Sequence, residues 1–261
     1  MQHLPAVPYG TWFRRYRARQ APERRLVCFP HAGGSASFYR NWPHHLPAAT
    51  ELLAVRYPGR EDRFDEPYAT RLTDVADEIG TELAGLPPLP VTLFGHSMGA
   101  AIAYEVAARL EHRHGVVPQV LVVSGRRAPH LPRNRETVHL WSDDDVVAEV
   151  HRLGGVGADV LTHPELRALF LPMLRADYRL IDTYRPEPHP PLSAPLTALS
   201  GTDDPSCPVE DARGWSRVTT GAFALHALPG DHFFLIPAEA EVARLTAHAH
   251  RHTGTAQPPA R

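Results

Sequence analysis

Short apolar runs recur along the chain, separated by longer stretches in which apolar and polar positions alternate at helical spacing. The runs fall at residues 26–30, 52–57, 91–94, 120–124, 196–200 and 222–228. Each is continuous rather than alternating, which predicts strands buried on both faces. Residues 73–86, 100–113 and 239–250 place apolar side chains on one helical face. Strands interleaved with helices predict an α/β fold with a mostly parallel central sheet flanked by helices.

One segment breaks this rhythm. About seventy residues separate the run ending at Ser124 from the one starting at Leu196, too many for a structureless loop in a compact domain. Ser142 followed by Asp143, Asp144 and Asp145 is a helix start, with Val146, Val147, Val150 and Leu153 on one face. Gly154 and Gly155 stop it. A second helical pattern covers residues 164–184 and is expected to kink or break at Pro172. Proline-rich residues 185–195 then lead back to the sheet. These signals predict a helical lid insertion at about residues 130–190 within a single domain spanning 1–261; a peripheral decoration is the alternative. Residues 253–261 read as a frayed tail.

Composition narrows the class. At 261 residues, with 43% hydrophobic and 21% charged residues, the chain can bury a full core. A net charge of −2 gives no electrostatic argument for nucleic acid or an anionic membrane. No run is long enough to span a bilayer. Residues 1–20 are Arg-rich and lack an apolar signal core, so a cytoplasmic protein is expected, with a monomer as the default. All 27 basic residues are Arg, which reads as the codon bias of a GC-rich genome. The 2 cysteines, Cys28 and Cys207, are too few for a disulfide framework, and Cys28 in an apolar run is expected to be a buried, inert thiol. The chain has 17 histidines but no metal-ligand spacing, so no metal is expected. His44 and His45, His112 and His114, and the group His248, His250 and His252 are read as solvated.

The chemistry concentrates at Gly95-His96-Ser97-Met98-Gly99. A strand pattern leads into Gly-x-Ser-x-Gly and a helix pattern follows, the context in which a serine hydroxyl is lifted onto a strained turn. Gly95 and Gly99 remove side chains that would collide there. Ser97 is therefore the expected nucleophile. A general base and an orienting acid should follow later, in that fold's order of serine, acid, histidine. His232, in Leu-Pro-Gly-Asp-His-Phe-Phe-Leu after the last strand run, is the expected base. Asp203 and Asp204, in Gly-Thr-Asp-Asp-Pro, are both candidate acids, and the Gly-x-x-Asp spacing with Pro205 behind favours Asp204. An acid after an earlier strand is not available, since Arg126 and Arg127 occupy that place. Asp231 is read as a turn residue. The oxyanion hole is expected from the backbone N–H groups of Met98 and Ala32, with His31 and His96 as scaffold histidines.

Five ordered motifs carry a family resemblance. They are Phe29-Pro30-His31-Ala32-Gly33-Gly34, Tyr57-Pro58-Gly59-Arg60-Glu61-Asp62-Arg63, Gly95-His96-Ser97-Met98-Gly99-Ala100, Leu174-Arg175-Ala176-Asp177-Tyr178 and Gly230-Asp231-His232-Phe233-Phe234-Leu235. Together they resemble the type II (stand-alone, editing) thioesterases of polyketide and nonribosomal peptide biosynthesis, within the α/β-hydrolase superfamily. The departures are Asp203 beside Asp204, and Asp231 where that family often has glycine. The resemblance implies a Ser97–His232–Asp204 triad that removes aberrant or stalled acyl groups from the phosphopantetheine arm of an acyl or peptidyl carrier protein. It implies no cofactor beyond that substrate-borne arm. Apolar lid residues, including Phe170 and Met173 as substrate-binding residues, are expected to roof an acyl chamber; simple lid packing is the alternative. Arg126, Arg127 and the early Arg14, Arg15, Arg17 and Arg19 are either docking cations for an acidic carrier or a solvated face. Three rival functions remain on the sequence: a small-molecule esterase or lipase, a product-releasing thioesterase, and a non-catalytic binding protein.

Overall fold

The computed structural model describes residues 6–16, 21–131, 137–154 and 161–250. Among these, eight strands form one sheet in the order β1-β2-β4-β3-β5-β6-β7-β8. The strands are β1 (Ala6–Tyr9), β2 (Phe13–Tyr16), β3 (Arg24–Phe29), β4 (Thr50–Val55), β5 (Val91–His96), β6 (Val120–Ser124), β7 (Leu196–Gly201) and β8 (Phe223–Leu228). From β4 to β8 every pairing is parallel; β1 and β2 join antiparallel at one edge.

The apolar runs form strands because both sheet faces are covered. Successive side chains point to opposite faces, and the buried residues divide accordingly. Val27 and Phe29, Leu53 and Val55, and Leu121 and Val123 enter one core with Ile79 of α1 (Leu72–Ala84) and Ile102 of α2 (Met98–His114). Leu26 and Cys28, Leu52 and Ala54, and Val120 and Val122 enter the other with Tyr39, Trp42, Phe234 and Val242 of α6 (Glu239–His248). Cys28 and Cys207 are both free and buried. A short helix α5 (Val209–Arg213) follows β7.

The N-terminal hairpin adds two strands that no apolar run marks. Phe13 and Tyr16 of β2 are buried in opposite cores, while the intervening Arg14 and Arg15 find acids elsewhere. Arg14 pairs with Glu61 at 2.8 Å and Asp62 at 3.1 Å, and Arg15 pairs with Glu51 at 2.7 Å.

Between β6 and β7 lie α3 (Asp143–Arg152) and α4 (Pro164–Thr183). Ser142 caps α3 by accepting from the Asp145 N–H at 3.2 Å, and three aspartates fill its first turn. The stop at Gly154 is present, with φ +75°; Gly155 lies outside the described residues. Pro172 sits inside α4 without breaking it, so of the expected kink or break the break does not occur. Val138, Val146 and Leu171 form a separate small core that joins the two helices. Among the described residues, no helix is long and apolar enough to cross a membrane.

Candidate active site

Ser97 is the only residue between β5 and α2, and it turns the chain with φ 53° and ψ −113°. A non-glycine residue held there stores strain of roughly 1–3 kcal/mol and persists only where its surroundings fix it. They do so here: the Ser97 N–H donates to the Ser124 carbonyl at 2.8 Å. The crossing is also tight on both sides. A Cβ added to Gly95 would strike the Gly99 carbonyl, and one added to Gly99 would strike the Phe29 carbonyl.

The other site residues come from loops at the carboxyl ends of neighbouring parallel strands. Ala32 follows β3, Asp204 follows β7 and His232 follows β8. His232 Nδ1 lies 2.8 Å from Asp204 Oδ2. Asp203, by contrast, accepts from the Thr202 hydroxyl at 2.9 Å, so the ambiguity between the two aspartates resolves geometrically toward Asp204. Ser206, which the sequence reading missed, completes the arrangement. Its N–H and hydroxyl both donate to Asp204 Oδ1, at 2.8 and 2.9 Å, and its Oγ lies 3.0 Å from His232 Nδ1. Its place two residues after an aspartate on a turn is a signal that could have found it. Burial raises the Asp204 carboxyl, but the hydrogen bond and charge of His232 and the two donors of Ser206 outweigh it and hold the carboxyl below its ordinary value.

Three imidazoles pack together. The His96 ring centroid is 4.9 Å from that of His232 and 6.0 Å from that of His31. His31 is edged by Phe38 and Phe233, each at 4.9 Å, and His96 Nδ1 meets the Ser124 hydroxyl at 2.9 Å. Burial, then the charges of His232 and Arg60, bring His31 down to about 3. Burial, then the charges of His232 and His31, push His96 well below the ordinary histidine value. Both stay neutral near pH 7, so neither opposes a positive charge developing on His232. Asp231 accepts from the Phe233 N–H at 2.8 Å and closes the turn.

Ser97, Met98, Ala32 and His232 all line one cavity of about 1190 Å³. No hydrogen bond joins Ser97 to His232 among the described residues; such contacts often tighten only when substrate is bound. The Ala32 N–H donates to no protein acceptor among the described residues, and the Met98 N–H belongs to the first turn of a helix, where donors have no intrahelical partner. The arrangement can therefore supply a hydroxyl, a base held in one orientation and two donors for an oxyanion. Among the described residues, no three His, Cys, Asp or Glu side chains gather as metal ligands.

The far wall comes from the insertion, through Val138, Trp141, Leu153, Tyr178 and Ile181. Phe170 and Met173 are not in it, a correction to the expected chamber. Residues 178, 181 and 182 share one helical face. Phe170 and Met173 stand nearer the N-terminal end of the helix: Phe170 is 36% exposed and Met173 is buried. Arg127 lines the cavity and pairs with Asp211 at 2.9 Å. Arg14 and Arg15 are paired as well, so each of these three arginines meets an acid of this chain. Arg126 lines the cavity too; Arg17 and Arg19 lie outside the described residues.

Comparison with known proteins matches this geometry to a family. Residues 24–251 match the thioesterase domain model. The chain is 47% identical over 226 residues to the probable cadicidin biosynthesis thioesterase of Streptomyces griseus, covering 87% of this chain and 62% of that protein, so it spans less than two thirds of that relative's length. It is 42% identical to thioesterase PikA5 of Streptomyces venezuelae, covering 88% of this chain and 82% of the relative. Among solved structures, the type II thioesterase BorB from the borrelidin biosynthetic cluster superposes with a TM-score of 0.84 at 41% identity, covering 92% of this chain and 98% of BorB. With its parallel sheet, its serine on the β5–α2 turn and these relatives, the chain belongs to the thioesterase domain family and is a thioester hydrolase of the α/β-hydrolase fold.

Proposed function

We propose that the protein hydrolyses acyl groups from the phosphopantetheine arm of an acyl or peptidyl carrier protein, clearing aberrant or stalled chains from a polyketide or nonribosomal peptide synthase. The observation that carries the reading is Ser97 on its strained turn in the wall of a cavity of about 1190 Å³, with His232 and Asp204 beside it. The likeness to PikA5 and BorB supports the substrate class.

In this mechanism His232 Nδ1 carries its proton toward Asp204, which leaves Nε2 as the acceptor. Nε2 takes the Ser97 proton as Oγ attacks the thioester carbonyl carbon. The carbonyl π electrons move to oxygen, and the Met98 and Ala32 N–H groups receive that oxyanion. As it collapses, the C–S bond breaks and His232 returns the proton to the leaving sulfur. Water then repeats the attack on the Ser97 ester, giving the free acid and restoring the hydroxyl. Apart from substrate and water, every step uses side chains and backbone of this chain, and none calls for a cofactor.

The test compares an acyl-carrier protein with the same acyl group on a small thiol. The proposal expects kcat/KM at least about tenfold higher for the carrier-bound thioester, corresponding to roughly 1.4 kcal/mol of added transition-state binding. Equal rates, or faster turnover of simple oxoesters, would point to a small-molecule esterase instead.

A further inference from the structure

Two of the five sequence motifs, those around Arg60 and Asp177, take no part in the mechanism above, yet they meet beside the oxyanion loop. The Gly34 N–H donates to the His31 carbonyl at 2.9 Å, closing a four-residue turn with Ala32 and Gly33 at its centre. Gly33 has φ +77°, the positive value that the third position of a type II turn requires. Its N–H donates to Asp177 Oδ2 on α4 at 2.8 Å. Arg60 holds the same carboxylate with two bonds, Nη1 to Oδ2 at 2.8 Å and Nη2 to Oδ1 at 2.6 Å, and Nη1 also donates to the Gly34 carbonyl at 2.9 Å. The side chains of Arg60 and Asp177 are 7% and 2% exposed. One turn earlier on α4, Leu174 packs where a Gly33 Cβ would stand.

From these contacts we infer that Asp177 and Arg60 are positioning residues of the oxyanion hole, and that they make α4 part of the catalytic machinery. The inference rests on the reading of Ala32 as an oxyanion donor. The Asp177 carboxylate pins the peptide between Ala32 and Gly33, next to the one that carries the Ala32 N–H; by fixing this tight turn, a helix that also walls the substrate cavity through Tyr178 and Ile181 aims that N–H. Arg60 has a second task. A bare carboxylate hydrogen-bonded to the residue after an oxyanion donor would repel the charge that forms there. The bidentate guanidinium cancels that charge and fixes the turn from its other side.

The experiment measures kcat and KM for a small-thiol acyl thioester with Asp177→Ala, Asp177→Asn and Arg60→Lys. It also measures affinity for a trifluoromethyl ketone, which forms a tetrahedral oxyanion on the serine, and for an unreactive thioether analogue. A misdirected donor should cost less than the 10²–10³-fold of a deleted one. The expected result for Asp177→Ala is therefore a kcat lower by about 10–100-fold. KM and thioether affinity should stay within about threefold, and ketone affinity should fall in step with kcat. Asp177→Asn, which keeps an acceptor, should recover part of the loss, and Arg60→Lys should fall between. If Asp177→Ala does not fold, the two conservative variants carry the test. Lower melting temperatures with kcat and ketone affinity within about twofold of wild type would mean a merely structural pair and would overturn the inference. Ser97→Ala separates the two readings. If it retains hydrolysis, the nucleophile assignment fails. If it is inactive while the Asp177 and Arg60 variants are fully active, only the positioning role fails.

Discussion

Asp204 divides its two carboxylate oxygens between partners: Oδ2 faces His232 Nδ1 at 2.8 Å and Oδ1 takes both donors of Ser206. His232 is thereby held by a carboxylate that is itself immobilised. Losing the charge while keeping the shape should leave the imidazole in the wrong tautomer. We expect Asp204→Asn to lower kcat by about 10⁴-fold, the cost of the same change in a serine protease. Asp203→Asn should stay within about twofold, because that side chain turns toward Thr202. Steady-state kinetics of the two variants decide the assignment, and a large loss in Asp203→Asn would reverse it.

The strained turn makes a prediction about packing. A methyl group on Gly99 would meet the Phe29 backbone, which has no room to yield. We expect Gly99→Ala to abolish activity and to unfold roughly 10 °C below wild type, as a loss of several kcal/mol does in a chain of this size. Gly85 provides the contrast: a Cβ there lies 3.5 Å from the Glu82 carbonyl, an ordinary contact. Gly85→Ala should melt within about 2 °C of wild type. Equal thermal shifts in the two variants would contradict this account of the turn.

The imidazole cluster should make the fold acid-sensitive well above the carboxylate range. His31 is brought down to about 3 and His96 well below its ordinary value, in both cases chiefly by burial. In that interval the unfolded chain binds protons that the folded chain refuses. Their stabilisation is therefore complete above about pH 6.5 and is lost as the pH falls toward the folded values, at no more than about 1.4 kcal/mol per pH unit for each histidine. Asp204 acts lower: its depressed carboxyl stabilises the fold above about pH 3.9 and ceases to as the pH drops through its folded value. Urea titrations should show the wild-type midpoint falling between pH 6.5 and 4.5, with a shallower slope in His31→Gln. A flat profile over that range would count against neutral, buried imidazoles.

Acyl-chain preference should follow the residues that line the cavity. Ile181 is in its wall and Phe170 is not. Placing a larger side chain at position 181 takes room from long chains first. We expect Ile181→Trp to lower kcat/KM for long acyl thioesters by about tenfold relative to acetyl, within the range that pocket shape can supply. Phe170→Ala should leave that ratio within about twofold. The opposite pattern across a panel of chain lengths would move the acyl site toward the N-terminal end of α4.

Much of this architecture is legible from local pattern. β6 and β7 begin where their apolar runs begin, because a strand buried on both faces leaves a continuous signature. That Ser97 and His232 would meet, with Asp204 against the imidazole, is legible because each lies within a few residues of turn chemistry that only certain sequences permit. The missed features depend on distant partners. β2 reads as a polar Arg-rich stretch until Glu51, Glu61 and Asp62 are brought beside Arg14 and Arg15. The direction of α4 is similar. Its apolar periodicity shows a helix but not which stretch of it meets the cavity, so Phe170 and Met173 are expected where Tyr178 and Ile181 stand. The bond from Gly33 to Asp177 spans 144 positions, and no local signal carries it. There the motifs marked the right residues without giving their task.

The central claim is that Ser97 becomes acylated during turnover, and intact-protein mass spectrometry tests it most directly. The protein is mixed with an acyl thioester, quenched in acid within the first turnover, and its mass measured before and after digestion. The account predicts a mass increase equal to the acyl group, located on the peptide that contains Ser97, and neither adduct nor turnover in Ser97→Ala. Unmodified protein together with a Ser97→Ala variant that hydrolyses the thioester at the wild-type rate would contradict it.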